Sequence, residues 1–149
     1  MQPIVVGESA VDFYTEGIYP SYDIDLVSNR KKIGEILETV FGFKPNGRHW
    51  INEQIGLSVE VPSSHLAGNK DKINTIRIEG IEVRVIGIED LIIDRLNACI
   101  HWKSIRDCEQ ARFLIQYYRN RIDFRYLEDR SKNEGVLKVF REMWSLQPE

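Results

Sequence analysis

The sequence predicts an α+β fold, in which a mixed β-sheet flanked by helices is followed by a C-terminal helical segment. Up to about residue 88, short β-branched runs such as "PIVVG" and "IEVRVI" are bounded by glycine and other turn residues. From Glu89 onward the apolar residues recur with a period near 3.6 instead of two. A chain of 149 residues can bury a sizeable core. We therefore expect one domain, with the sheet core over residues 1–88 and the helical segment over 89–149.

The first half of the sheet core contains two predicted strands and two predicted helices. "PIVVG" is a strand ended by a glycine, and Ser9 is placed to cap the helix suggested by "AVDFYTEG". "YDIDLV" is the second strand. A helix over about 30–41 follows, because Ile33, Leu37 and Val40 recur on one face.

The second half of the sheet core is predicted to consist of turns and hairpins. "GFKPNG" has turn composition, "RHWIN" and "GLSVEV" alternate as strands, and "INTIRI" and "IEVRVI" flank the Glu79-Gly80 turn. Four helices are predicted after it, from "EDLIIDRLNACIHW", "RDCEQARFLIQYY", "DFRYLEDRS" and "GVLKVFREMW".

Charge and cysteine content restrict the class of protein. The net charge of −3 excludes a general attraction to polyanions or membranes, although residues 103–132 carry 8 Lys/Arg against 5 Asp/Glu. Cys99 and Cys108 match no zinc or redox motif, and two thiols in such a chain favour a reducing compartment. The start "MQPIVVGES" resembles neither a signal peptide nor a membrane span. We expect a cytoplasmic protein with no membrane partner.

Three carboxylates stand on polar faces of apolar strands. Strand residues two apart share a face, so Asp23 and Asp25 lie side by side and repel each other unless a cation such as Mg²⁺ neutralises them. In "LSVEV", Glu60 also points away from the core. The alternatives are a solvated edge strand for the aspartates and a cross-strand partner such as Arg48 for Glu60.

A turn upstream of these acids has the composition of an anion site. A strand, then Gly7, Glu8 and Ser9, then a helix, can present backbone N–H groups and a hydroxyl to phosphate oxygens. The alternative is that Gly7 only ends a strand and Ser9 only caps a helix.

Together these segments resemble the nucleotidyltransferase superfamily, which has the polymerase-β-like fold. "VVGESAVDFYTEG…YDIDLVS" is similar to the glycine turn and D-x-D strand of that superfamily, and "VEVP" to its third-acid strand. "VEVPSSHLAG" and "DRLNACIHWKSIRDCEQA" resemble small bacterial and archaeal nucleotidyltransferase-like proteins related to toxin–antitoxin enzymes. The similarity covers roughly residues 3–112.

The resemblance implies a mechanism. Asp23, Asp25 and Glu60 would be the catalytic residues and would hold one or two Mg²⁺ ions, with Mn²⁺ as a substitute. Gly7 and Ser9 would bind the nucleotide phosphates. Arg95 and Lys103 are the nearest matches to nucleotide-binding residues of the related toxins. Glu8 departs from the pattern, because the family has a small residue there and a carboxylate would repel triphosphate.

The predicted function is Mg²⁺-dependent transfer of an NMP group from an NTP, such as ATP, to a hydroxyl on RNA or protein, in a toxin-type enzyme with a cognate antitoxin. Two alternatives remain. The chain is a nucleotide-binding or interaction module that has lost turnover, as Glu8 would suggest. Or it is an antitoxin-like nucleic-acid-binding partner, for which the basic stretch 103–132 is the support.

Overall fold

Seven β-strands and six α-helices make up the part of the chain that the computed structural model describes, residues 2–146. Their bounds are β1 Ile4–Val6, α1 Gly7–Tyr14, β2 Asp23–Val27, α2 Arg30–Thr39, β3 Lys44–Asn46, β4 His49–Asn52, β5 Leu57–Ser63, β6 Asn74–Ile78, β7 Ile81–Val85, α3 Ile88–His101, α4 Ile105–Tyr117, α5 Phe124–Asn133 and α6 Leu137–Ser145. A short 3-10 helix, Lys70–Lys72, precedes β6. The chain divides into two compact units, residues 1–87 and 88–149.

The first unit, the sheet unit, contains all seven of these strands in one mixed sheet of order β3-β4-β5-β2-β1-β7-β6. The pairs β1–β7 and β2–β5 are parallel, and the other neighbours are antiparallel. The predicted α+β class with a mixed sheet and flanking helices is confirmed.

The apolar face of β4 and β5 forms a core against α2. Its buried side chains are Phe43, Trp50, Val59 and Val61. Gly34 of α2 packs directly on the indole, since a Cβ atom at Gly34 would lie 2.5 Å from Cζ2 of Trp50. Because strand residues alternate, this packing turns the residues between the core positions to the opposite face of the sheet.

Two local predictions were wrong. Helix α1 begins at Gly7, so Ser9 lies inside its first turn and is not its cap. The "GFKPNG" segment supplies an edge strand, Lys44–Asn46, as well as turns. Pro45 has no N–H to donate, and an edge strand is where a sheet tolerates that loss.

The second unit, the helical unit, comprises α3 to α6. A disulfide joins Cys99 at the end of α3 to Cys108 in α4, where the Cα atoms are 4.7 Å apart. The expectation of two thiols was therefore wrong, because the turn between the helices brings the two sulfurs together. Within residues 2–146, no helix has the length and apolar character needed to cross a membrane.

A buried polar cluster connects α3 with α5. The Tyr126 hydroxyl donates to Oδ1 of Asp90 at 2.6 Å, and the Asp90 side chain has no exposed surface. The backbone N–H of Asp123 donates to Oε1 of Glu89 at 2.9 Å. Burial, followed by the bond to the Asp90 carboxylate, raises the pKa of Tyr126 well above its ordinary value. The neutral phenol is therefore the form that this cluster stabilises.

Candidate functional site

The register of the sheet places the predicted acids on one polar face. In the parallel pair β2–β5, Asp25 lies beside Glu60 and Asp23 lies beside Ser58. The antiparallel neighbour β4 places His49 on the far side of Glu60. Residues paired across neighbouring strands share a face, so Asp25, Glu60 and His49 form a row across three strands. The D-x-D strand and the third-acid strand are thus direct neighbours.

An irregularity in the sheet lies next to this row. The β2–β5 register shifts after the Asp25/Glu60 pair, so that Val27 pairs with Ser63. The extra residue on β5 falls at Val61–Pro62, where the proline lacks an N–H for the ladder. Bulges of this kind re-aim side chains and are common beside active sites.

Gly7 is in contact with the carboxylate of Asp25. A Cβ atom added at Gly7 would lie 2.6 Å from Oδ2 of Asp25, and the φ angle of Gly7 is +60°. Both the left-handed conformation and the close approach require glycine. The carboxylate therefore lies at the N-terminus of α1, where the helix dipole favours negative charge.

Ser9 connects α1 to the D-x-D strand. Its hydroxyl donates to the Val6 carbonyl at 2.8 Å and accepts from the Asp25 N–H at 3.0 Å. These bonds fix the backbone of Asp25 against the start of the helix. A phosphate that accepted from Ser9 would have to replace the Val6 carbonyl, because a hydroxyl has one proton to donate.

Glu60 has two partners, Arg48 in the turn between β3 and β4 and His49 at the start of β4. Its Oε1 lies 3.5 Å from Nε of Arg48, and its Oε2 lies 3.3 Å from Nε2 of His49. The alternative partner expected from the sequence, Arg48, is therefore present, together with a histidine that spacing had not linked to the site. Strand alternation could have identified His49, because it is adjacent to the core residue Trp50 and therefore points to the opposite face of the sheet.

The side chains fit a divalent cation in part. Across residues 2–146, no three His, Cys, Asp or Glu side chains converge closely enough to hold a metal ion. The predicted trio is therefore not assembled, since Glu60 contacts β4 instead. Asp23 and Asp25 still supply oxygen donors on one face, and Mg²⁺ needs only one or two carboxylates when phosphates and water complete its shell.

Glu8 is in the first turn of α1. A carboxylate at this position interacts favourably with the helix dipole, typically by about 0.3–1 kcal/mol. This gives a structural reason for an acid where the nucleotidyltransferase pattern has a small residue.

Arg95 and Lys103 belong to the helical unit. Arg95 is 9% exposed; one of its terminal nitrogens lies 2.8 Å from Oδ1 of Asp107, and the other contacts Asp94. A phosphate that bound Arg95 would compete with these carboxylates. Lys103 is exposed in the turn between α3 and α4, with a φ of +50°. Nucleotide binding by these two residues stays a prediction.

The fold of this chain is that of the nucleotidyltransferases. The antibiotic-resistance factor ANT(2'')-Ia, a nucleotidyltransferase solved in solution, superimposes with a TM-score of 0.54 at 15% identity, over 96% of this chain and 83% of its own. An antigenic nucleotidyltransferase-like protein from Paracoccidioides brasiliensis gives 0.53 at 15% identity, over 93% and 84%. No protein-family model and no curated sequence matches the chain. At this identity the similarity shows the fold of the chain, and the predicted nucleotidyltransferase fold is confirmed.

Proposed function

We propose that this protein is a nucleotidyltransferase that uses Mg²⁺ to move an NMP group from an NTP to a hydroxyl acceptor. The observation that carries the proposal is the register that puts Asp25 beside Glu60 and Asp23 on the same face, within a nucleotidyltransferase fold. Neighbouring carboxylates on one face of a sheet repel each other and gain from a bound cation.

The candidate site residues of the sheet unit have distinct roles in this proposal. Asp23 and Asp25 hold the ion, and Glu60 is the candidate third ligand. Bound Mg²⁺ would neutralise charge on the triphosphate during in-line displacement. Gly7 lets the Asp25 carboxylate lie against the start of α1, whose backbone N–H groups are the candidates to bind phosphate oxygens. Ser9 holds the Asp25 backbone in place.

The acceptor and the biological setting are the finer parts of the proposal. We propose RNA or protein hydroxyls as acceptors, ATP as a candidate donor, and a toxin-type role with an antitoxin as partner. They are supported by the sequence resemblance alone.

A second candidate function is a nucleotide-binding module of the same fold without turnover. The contacts of Glu60 with Arg48 and His49 favour it, because they occupy the carboxylate that catalysis would need. The nucleic-acid-binding alternative gains nothing from the described contacts. Arg119 of the basic stretch lies over the Trp144 ring, and Arg130 pairs with Asp90 and Glu134.

Calorimetric titration of the four NTPs, with and without Mg²⁺, tests the proposal. We expect Mg²⁺-dependent binding to wild type that is lost in Asp23→Asn/Asp25→Asn. Asp71→Asn/Glu82→Gln, which removes two exposed acids elsewhere in the sheet unit, should bind as wild type does. Turnover of the bound NTP then separates the enzyme from the inactive module. Binding that survives in Asp23→Asn/Asp25→Asn, or no NTP binding to wild type, would overturn the assignment.

A further inference from the structure

Glu60 lies between an acidic neighbour, which repels its carboxylate, and a basic neighbour, which attracts it. Asp25 on β2 and His49 on β4 are both in register with it. Adjacent strands are about 4.8 Å apart on either side, so the backbone does not favour one neighbour over the other. The side-chain conformation of Glu60 determines which neighbour it contacts. The side chain points to the β4 side, where Arg48 and His49 contact its two oxygens.

The β4 side of this arrangement is anchored. A terminal nitrogen of Arg30 donates to the Arg48 carbonyl at 3.1 Å, and the same guanidinium lies 4.4 Å from the centre of the Trp50 ring. Because Trp50 is a core residue, these contacts fix the backbone that carries Arg48 and His49. The two partners of Glu60 are therefore held at a defined position on the sheet.

The contacts themselves are exchangeable. The Arg48 side chain is 82% exposed, that of His49 is 33% exposed and that of Glu60 is 17% exposed. Water screens an ion pair whose cation is this exposed, so breaking it costs little. A divalent cation bound to the aspartates offers the Glu60 carboxylate a stronger partner than an exposed guanidinium does.

We propose that Arg48 and His49 are positioning residues that hold Glu60 away from Asp23 and Asp25, so that metal loading must break these contacts before Glu60 can join the site. This inference rests on the proposed function. It explains why the three acids share a face yet do not converge within residues 2–146. It also predicts a site that starts with two carboxylates and gains its third on loading.

The test is a Mn²⁺ titration of the full chain, followed by water-proton relaxation without nucleotide. Arg48→Ala/His49→Ala should bind Mn²⁺ about two- to fivefold more tightly than wild type, the range that one exposed ion pair supplies. Adding Glu60→Gln to that variant should cancel the gain. Arg48→Lys/His49→Gln, which keeps two hydrogen-bond donors, should bind as wild type does. If the alanine variant does not fold, Arg48→Met/His49→Leu, which also lacks hydrogen-bond donors at both positions, replaces it.

Several outcomes would overturn the inference. Unchanged or weaker binding by the alanine variant means that Arg48 and His49 do not restrain Glu60. If the gain in Mn²⁺ affinity persists when Glu60→Gln is added, the loss of positive charge raises the affinity at a distance and not through Glu60. Mn²⁺ binding to wild type that Asp23→Asn/Asp25→Asn does not affect, or no binding at all, refutes the proposed metal site itself. That result is distinct from failure of the Glu60 mechanism alone.

Discussion

Replacing Gly7 by alanine tests whether the start of α1 is built around Asp25. The added Cβ would lie 2.6 Å from Oδ2, 3.1 Å from Cγ and 3.2 Å from Cβ of Asp25. It would also force an alanine to adopt a φ of +60°. We expect a less stable sheet unit in which the Asp25 carboxylate is displaced.

The expected loss of unfolding free energy in Gly7→Ala is the sum of two contributions. The left-handed conformation costs a non-glycine residue about 1–2 kcal/mol. Rotation of Asp25 relieves the contact with Oδ2 but not the crowding of its Cβ atom, so we assign about 1–2 kcal/mol to overpacking, in the lower part of the usual range. The free energy of unfolding should therefore fall by about 2–4 kcal/mol, less a few tenths gained from stiffening the unfolded chain.

A matched control isolates the contact with Asp25. Gly47 has the same φ of +60°, and nothing lies within 4 Å of a Cβ atom added there. Gly47→Ala carries only the backbone cost, so the two variants should differ by about 1–2 kcal/mol in urea denaturation. Amide hydrogen exchange at Asp25, whose N–H is bonded to Ser9, reports the local change.

Equal destabilisation by Gly7→Ala and Gly47→Ala would show that no close contact exists between Gly7 and Asp25. A double-mutant cycle with Asp25→Ala gives a second check. Removing the carboxylate should recover part of the extra loss in Gly7→Ala and nothing in Gly47→Ala.

Three further predictions address other parts of the molecule. Gly34→Ala should lower the unfolding free energy by about 1–3 kcal/mol despite the better helix propensity of alanine, because its Cβ would lie 2.5 Å from the Trp50 ring; a stabilised variant in urea denaturation would contradict that packing. Tyr126 has a raised pKa in the folded state, so its contribution to stability is complete below pH 10 and is lost as pH rises above that value. Tyr126→Phe should remove this alkaline dependence and cost about 1.5–3 kcal/mol at pH 7, because the buried Asp90 carboxylate loses a donor; identical pH profiles would refute the assignment. Glu8→Gln should raise triphosphate affinity about two- to fivefold in calorimetry, through loss of one nearby negative charge, and a clear loss of affinity would make Glu8 a ligand.

Local sequence determined the elements from which the site is built. Alternation in "YDIDLV" and "LSVEV" was enough to place Asp23, Asp25 and Glu60 on polar faces, because side-chain direction in a strand has a period of two. The change of period near Glu89 located the end of the sheet, since all seven described strands end before α3 begins at Ile88.

Tertiary structure decided what these residues touch. The parallel pairing of β2 with β5 joins residues 35 positions apart in sequence, and only that register makes Asp25 and Glu60 neighbours. Tertiary structure also decided the Cys99–Cys108 disulfide, the edge position of β3, and the contacts of Glu60 with Arg48 and His49. Side-chain periodicity is a property of a single strand, whereas register and side-chain conformation depend on the neighbours that pack against it. For that reason the sequence alone determined which acids face away from the core, and the folded sheet determined that Glu60 contacts β4.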